Sequence, residues 1–186
     1  MKRLFLCVMG CAMALFGESG VTPKYASDGQ LMLPKDYREW VFLSSGYATT
    51  YDADGANNPN LFHNVFVPPT AYRSFMKTGV WPDKTVMVLE LRKSANHVSI
   101  NRQGQVQTAV AAIEVHVKDA SHSKETGGWG FYGFSPTAET GRPFPKTADC
   151  FTCHQQNGAT DTTFVQFYPT LIEVAKAHGN YKVTEK

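Results

Sequence analysis

Residues 107–118 read QTAVAAIEVHVK, the longest stretch of the chain with the character of a β-strand. Successive side chains of a strand point to opposite faces of a sheet. One face is apolar throughout: Ala111, Ile113, Val115 and Val117. The other mixes small, apolar and polar side chains: Val110, Ala112, Glu114 and His116. Either this second face meets solvent, as polar strand faces commonly do, or the small Ala112 leaves room beside Glu114 for a cofactor or substrate.

Shorter stretches on both sides predict further strands and helices. Strand-like sequence begins at Val41 and fills the ranges 61–67, 85–91 and 127–134. Helices are predicted where proline begins or glycine ends a stretch, at 34–40, 69–77, 147–156 and, interrupted at Pro169, 162–178. The Asp, Gly, Asn and Pro residues clustered at 52–59 predict a loop. This order predicts an α+β fold, with a β-rich antiparallel sheet, short helices, and helices concentrated towards the C-terminal end.

The first residues have the composition of an export signal. Lys2 and Arg3 precede an apolar run over 4–16, and small and polar residues follow at 17–20. A membrane-spanning helix needs about 20 apolar residues, which is more than this run provides. We therefore expect residues 1–20 to be a signal peptide with an approximate cleavage position, a signal anchor being the alternative. Residues 21–186 are then expected to form a single periplasmic domain.

Overall composition supports a single folded unit and excludes one class of partner. The chain has 186 residues, of which 42% are hydrophobic and 18% charged, with a formal net charge of +2. Such a chain is long and apolar enough to bury one core. Outside the N-terminus, Lys and Arg form no cluster. Because phosphate binding needs a concentrated basic surface, we expect no nucleic-acid partner.

Cys150-Phe151-Thr152-Cys153-His154 has the C-x-x-C-H spacing of a c-type haem attachment site. Two cysteines one helical turn apart can reach the two vinyl groups on one edge of a porphyrin. The adjacent histidine can then bond the iron as its axial ligand. Cys7 and Cys11 would leave with the signal peptide, so the mature chain keeps only this pair. The predicted cofactor is one covalent haem c, with its iron, per chain.

Three other uses of a C-x-x-C pair fit the sequence less well. A thioredoxin-like redox pair follows the first strand of a βαβ unit, whereas this pair lies near the C-terminus and no βαβ pattern precedes it. A structural zinc site needs about four ligands, and no second Cys pair or His pair has ligand spacing. A disulfide across two intervening residues would be strained.

Six segments, in order along the chain, resemble the cytochrome P-460 and cytochrome c′-beta family. They are LMLPKDYREWV (31–41), TAYRSFMKTGVWPD (70–83), VHVKD (115–119), GGWGFYGF (127–134), TADCFTCH (147–154) and FVQFYPTL (164–171). The resemblance covers almost the whole mature chain. It implies a β-rich haem fold with C-terminal helices around the haem, a homodimer, and a five-coordinate iron with an open distal side.

The resemblance also distinguishes two branches of the family. The P-460 enzymes carry a lysine cross-linked to the porphyrin and oxidise hydroxylamine. Leu89 aligns with that lysine. Because leucine has no nucleophilic nitrogen, the cross-link cannot form there, which favours the c′-beta branch and nitric oxide binding.

Two further residues take their expected roles from the resemblance. The family's distal carboxylate, a proton acceptor in the enzymes, aligns with Glu114, and the aromatic residue near the distal cap aligns with Trp81. Trp81 and Leu89 are then expected to line an apolar distal pocket that favours uncharged diatomic ligands over water. The alternative is that both are ordinary core residues.

A sixth iron ligand would make the protein an electron carrier. Of Met32, Met76 and Met87, Met87 is the best placed because it shares a strand face with Leu89, although a buried methionine is more often core filler. His63 and His116 lie on predicted strands and could also approach the haem. The remaining histidines, His97, His122 and His178, lie in polar stretches or at a helix end.

Three functional hypotheses follow. The first is a periplasmic mono-haem protein with five-coordinate iron that binds nitric oxide or a similar small ligand. The second is an enzyme that oxidises hydroxylamine or nitric oxide with Glu114 as the base. The third is an electron-transfer cytochrome with Met87 as sixth ligand and a redox partner.

Overall fold

The structure is a computed structural model that describes residues 20–51, 60–146 and 148–182. The predicted signal peptide lies outside the described residues, apart from its last residue, Gly20. The predicted loop at 52–59 and the first residue of the predicted helix 147–156 also lie outside them. Among the described residues, no helix is long and apolar enough to cross a membrane.

The described chain is built around one antiparallel sheet of seven strands. The strands are β1 (Leu31–Met32), β2 (Val41–Tyr47), β3 (Leu61–Val67), β4 (Val86–Ala95), β5 (Val106–Lys118), β6 (Trp129–Phe134) and β7 (Thr140–Pro143). Their order across the sheet is β1-β7-β6-β5-β4-β3-β2. Strands β2 to β7 thus lie beside their neighbours in sequence, and the predicted antiparallel α+β fold is confirmed.

The helices are short, as predicted. They are α1 (Pro69–Thr78), α2 (Asp149–Asn157) and α3 (Pro169–Ala177), with 3-10 turns at Tyr37–Glu39, Lys124–Thr126 and Val165–Phe167. Helix α1 ends at Gly79, whose φ of 68° is the left-handed conformation that glycine adopts without strain. The predicted interruption at Pro169 is confirmed, because this proline opens α3 after the third 3-10 turn.

Two sequence expectations differ from the structure. The helix predicted over 34–40 is only the 3-10 turn Tyr37–Glu39. Leu33 donates to the carbonyl of Glu139 and Val41 already belongs to β2. Between them the amides of Glu39 and Trp40 bond to carbonyls three residues back, which is the 3-10 pattern. Strands β1 and β7 were not predicted, because two and four residues are too short to show an alternating pattern.

The two faces of the sheet are covered in different ways. One face, called the packed face here, carries Val86, Val88, Val115 and Val117 into a core that the N-terminal residues Leu31, Tyr37 and Trp40 complete. The other, called the cavity face, is only partly covered by α1 and α3, through Phe75, Leu171 and Ala175. The alternation predicted along β5 therefore separates a core face from the face on which the candidate site lies.

Candidate cofactor site

A cavity of about 700 Å³ lies between the cavity face of the sheet and the C-terminal segment that contains α2. This volume falls in the range of cofactor and ligand sites. Leu89 on β4 is paired in register with Val65 on β3 and with Glu114 on β5, and all three line the cavity. Leu89 and Glu114, two residues that the sequence singled out, therefore lie side by side in its sheet wall.

Helix α2 supplies the opposite wall, where Cys150, Cys153 and His154 all line the cavity. Residues three apart on a helix share a face, so the two sulfurs lie on the same side of α2. Both thiols are free and partly buried. Burial raises the pKa of the Cys150 thiol, and the nearby negative charge of Glu114 raises it further. The pair is therefore not a disulfide, and both sulfurs are available for covalent attachment.

The imidazole of His154 is fixed by a backbone hydrogen bond. Its Nδ1 lies 2.9 Å from the carbonyl oxygen of Thr162. Because a carbonyl only accepts hydrogen bonds, Nδ1 carries the proton and donates it, and Nε2 keeps its lone pair. Burial lowers the pKa of His154, which keeps the ring neutral at neutral pH. A neutral imidazole with Nδ1 anchored to the protein is the form in which histidine ligates a metal through Nε2.

Aromatic rings surround His154 on several sides. Its ring centroid lies 4.3 Å from that of Phe164, 4.9 Å from Phe131 and 4.8 Å from His116. Such close contacts limit rotation of the imidazole. Phe131 belongs to the glycine-rich segment GGWGFYGF and itself lines the cavity.

Glu114 faces the cavity and is solvent-exposed along it. The surrounding protein nevertheless penalises its charge, and burial raises the pKa of the carboxyl group. No ion pair or hydrogen bond from another described residue offsets that penalty. A carboxyl group with a raised pKa in a cavity can exchange protons nearer neutral pH than an ordinary glutamate.

Two further imidazoles line the cavity, those of His63 and His116. The Nε2 atoms of His63 and His116 are buried, and neither has a partner among the described residues. Burial lowers the pKa of both, and the neighbouring His154 lowers that of His116 further. His116 packs between Trp129 and Phe131, at centroid distances of 4.2 and 4.1 Å. The expectation that both could approach a bound haem agrees with their positions.

The expectation that Trp81 lines the distal pocket needs correction. Trp81 is buried in the core against Phe75, and it is not among the residues that line the cavity. Its Nε1 donates a hydrogen bond to Oγ1 of Thr163, at 3.0 Å. The short connection from α1 to β4 places the ring under the C-terminal segment rather than beside Leu89. Trp81 therefore supports the loop behind His154 and does not face the cavity.

Of the three candidate methionines, only Met87 lines the cavity. It is paired in register with His116, at the end of the wall where His154 lies. Met32 and Met76 are exposed and do not reach the cavity. His97, His122 and His178 are also absent from the lining, and His122 instead stacks on Tyr25.

Several lining residues were not singled out from the sequence. Four of them are aromatic and belong to the loop after β2 or to the segment after the cysteine motif: Tyr51, Phe164, Phe167 and Tyr168. The signal that could have identified the last three is the aromatic run FVQFY, which begins ten residues after His154. Thr162 was missed for a different reason, because it acts through its backbone carbonyl, which no sequence pattern identifies.

The arrangement fits a covalently bound haem. Two free sulfurs lie on one face of α2, an imidazole with a defined tautomer lies beside them, and the cavity is lined largely by apolar and aromatic side chains. A flat apolar porphyrin needs such a lining, and its iron needs one neutral nitrogen ligand. Within the described residues, no group of three or more His, Cys, Asp or Glu side chains is arranged to hold a bare metal ion.

Comparison with known proteins adds one finding. The model of the family described as Cytochrome P460 matches residues 34–165, well over half of the chain. This range includes the sheet wall of the cavity as well as Cys150, Cys153 and His154. No curated protein matches the chain.

Proposed function

Because the chain belongs to the cytochrome P460 family, whose members are haem cytochromes, we propose that it is a periplasmic c-type cytochrome with one haem per chain. Cys150 and Cys153 attach the haem through thioether bonds, and His154 is its axial ligand. The iron is five-coordinate and binds nitric oxide or a similar small ligand on its open side.

The observation that carries this proposal is the hydrogen bond from Nδ1 of His154 to the carbonyl of Thr162. It fixes the tautomer and leaves Nε2 as the only nitrogen that can ligate a metal. Cys150 and Cys153 lie on the same helix as His154, four residues and one residue before it. The thioether bonds and the iron ligand would therefore come from the same side of the haem.

The sheet wall supports ligand discrimination at the open side of the iron. Leu89, Val65 and Leu91 present only apolar atoms to the cavity. Water bound against these three side chains gains no hydrogen bond from them, whereas a neutral diatomic ligand needs few. We therefore expect uncharged diatomic molecules to bind in preference to water. The resemblance aligns Leu89 with the lysine of the cross-linked enzymes, and this supports the c′-beta branch.

The raised pKa of Glu114 favours a second candidate function. An enzyme that oxidises hydroxylamine or nitric oxide needs a group that accepts protons near the bound substrate. Glu114 lies beside Leu89 in the wall of the cavity and could take that proton. The position of Met87 in the same lining keeps electron transfer as a third candidate.

The protein is further proposed to be exported to the periplasm and to form a homodimer. The composition of residues 2–20 supports export to the periplasm. The resemblance to the family supports a homodimer. The oxidising enzyme would need an electron acceptor to take the electrons of its substrate, and the electron-transfer cytochrome would need both a donor and an acceptor.

Absorption spectra of the purified haem protein test the proposal, recorded oxidised and reduced, with and without nitric oxide. We expect high-spin spectra in both states and a marked change when nitric oxide is added. A low-spin six-coordinate spectrum in both states would contradict the open site, and Met87→Leu would then identify the sixth ligand. A strongly red-shifted band of the reduced protein would indicate a porphyrin cross-link and the enzymatic function.

A turnover assay with hydroxylamine and an electron acceptor separates binding from catalysis. The binding protein is expected to show no turnover above that of free haem. Turnover that is lost in Glu114→Gln, while haem content is unchanged, would instead establish the enzyme with Glu114 as its proton acceptor.

A further inference from the structure

The backbone that holds His154 adopts an uncommon conformation. Asp161 and Thr162 are consecutive residues with φ of 48° and 55°, in the left-handed region that non-glycine residues rarely occupy. For the β-branched Thr162 this conformation is especially unfavourable. It nevertheless places the Thr162 carbonyl 2.9 Å from Nδ1 of His154. Other contacts must therefore hold these two residues in place.

The side chain of Asp161 provides the main contacts. Its carboxylate accepts a hydrogen bond from Nζ of Lys118 at 2.6 Å and another from Nε1 of Trp129 at 3.2 Å. Lys118 and Trp129 are register partners at the ends of β5 and β6, so both donors belong to the rigid sheet. The Lys118 and Asp161 side chains are 21% and 28% exposed, which makes the pair less screened than a surface ion pair.

A second set of hydrogen bonds closes the same loop. Nζ of Lys118 also donates to the carbonyl of Trp81, at 2.7 Å. Trp81 in turn donates through Nε1 to Oγ1 of Thr163, which donates to the carbonyl of Thr160 at 2.6 Å. Asp161 is thus bonded to the sheet, Thr163 is bonded to Trp81, and Thr160 and Thr163 pair through their backbones. The Thr162 carbonyl lies between these anchored residues.

We propose that Asp161, held by Lys118 and Trp129, is a positioning residue that sets the donor strength of His154 towards the haem iron. The inference rests on the haem ligation proposed above. A short hydrogen bond to a fixed carbonyl makes the imidazole a stronger donor. A stronger donor lowers the reduction potential of the iron and strengthens the iron–histidine bond.

Loss of the Asp161 contacts should let the Thr162 carbonyl move away from Nδ1. The iron–histidine bond is then expected to weaken. Loss of an outer hydrogen bond of this kind commonly lowers metal affinity or activity by about 10- to 100-fold. We therefore expect His154 to dissociate from the iron about tenfold faster when nitric oxide is bound.

Two variants that change the net charge in opposite directions distinguish a positioning role of the ion pair from a direct effect of its charges on the iron. Asp161→Asn removes a negative charge and Lys118→Met removes a positive one, yet both break the same ion pair. If the ion pair positions the Thr162 carbonyl, both variants should have a higher reduction potential and a lower iron–histidine stretching frequency. If only the charges matter, the two potentials should shift in opposite directions and the stretching frequency should not change. Trp129→Phe removes one hydrogen-bond donor without a change of charge and should give a smaller shift in the same direction as Asp161→Asn.

Lys84→Met is the matched control. Lys84 also pairs with a carboxylate, that of Asp119, and this pair does not touch the loop at 160–163. The control should alter stability and leave the iron–histidine band in place.

Resonance Raman spectra of the reduced, haem-loaded proteins provide the measurement, with haem loading verified by intact mass. A lower frequency in both charge variants supports the inference, and an unchanged band in either one overturns it. Should Asp161→Asn fail to fold, Lys118→Met and Trp129→Phe decide. Wild-type protein without haem would overturn the proposed function itself, an outcome distinct from haem-loaded variants with an unchanged band.

Discussion

Glu90 and Glu114 are two carboxylates on neighbouring strands, and they lie on opposite faces of the sheet. Glu90 is 2% exposed on the packed face, where it accepts hydrogen bonds from Tyr37, Arg38 and Arg92. Burial alone would raise its pKa, but these partners lower the pKa below the usual value. Glu114 lies on the cavity face, where burial raises its pKa. No described residue pairs with its carboxylate to offset this effect.

The difference shows that the two faces of the sheet have different roles. On the packed face the chain satisfies its own polar groups, so the charge of Glu90 contributes to the fold. On the cavity face the carboxyl group of Glu114 and the Nε2 atoms of His63 and His116 have no hydrogen-bond partner among the described residues. Unsatisfied titratable groups in a cavity are characteristic of a functional site. The packed face therefore serves stability, and the cavity face carries the candidate site.

The largest expected contrast comes from the same substitution on each face. Val88 is fully buried on the packed face, whereas its neighbour Leu89 points into the cavity. Val88→Lys buries an unpaired charge and should lower the free energy of unfolding by more than about 4 kcal/mol. Leu89→Lys should cost less than about 1 kcal/mol, because its ammonium group can pair with Glu114 across the strands. Denaturant unfolding of the haem-loaded proteins measures both.

The same Leu89→Lys variant should also change the absorption spectrum or the rate of ligand binding, whereas a variant on the packed face that still folds should not. Equal losses of stability in the two lysine variants, or unchanged ligand binding in Leu89→Lys, would contradict the division between the faces.

A smaller contrast is expected from removal of each carboxylate charge. Glu90→Gln breaks a buried charge network and should lower the free energy of unfolding by about 3 kcal/mol. Glu114→Gln removes a charge that the fold penalises, so the free energy should change by no more than about 0.5 kcal/mol. The two values come from parallel denaturant titrations at pH 7. A loss in Glu114→Gln as large as that in Glu90→Gln would show that Glu114 is structural.

The smallest effect is the pH dependence of these two variants. The folded-state pKa of Glu90 is lowered, so its stabilisation is present above the unfolded value near 4.5 and is lost as the pH falls through the folded pKa. The folded-state pKa of Glu114 is raised, so its contribution is present below 4.5 and is lost as the pH rises through the folded pKa. The stability advantage of wild type over Glu90→Gln should therefore shrink as the solution is acidified.

Relative to Glu114→Gln, wild type should lose stability as the pH rises from 4.5 through the raised folded-state pKa of Glu114. Unfolding free energies at several pH values give both differences. Slopes of the same sign for the two pairs would contradict the assigned pKa directions.

Much of the fold follows from local sequence patterns. Alternation along residues 107–118 identified both faces of β5, and the proline and glycine around residues 69–79 identified α1. The spacing of Cys150, Cys153 and His154 identified the wall of the cavity opposite the sheet. Each of these signals lies within a few residues, where the period of a strand or a helix determines which side chains share a face.

The remainder depends on contacts between residues far apart in sequence. Glu90 lies within an apolar stretch, and nothing near it indicates that Tyr37 and Arg38 would donate hydrogen bonds to it. Trp81 was expected beside the haem because alignment gives sequence position but not side-chain direction. The carbonyl of Thr162 has no sequence signal, since every residue has one. Packing, not periodicity, determines these three features.

The most direct test of the central claim is the intact mass of the mature protein, produced together with the cell's haem-attachment apparatus. Wild type should be heavier than its polypeptide by one haem, and this added mass should be lost when Cys150 and Cys153 are both replaced by alanine. A wild-type protein without the added mass, or a double variant that keeps it, would contradict covalent attachment at these two cysteines.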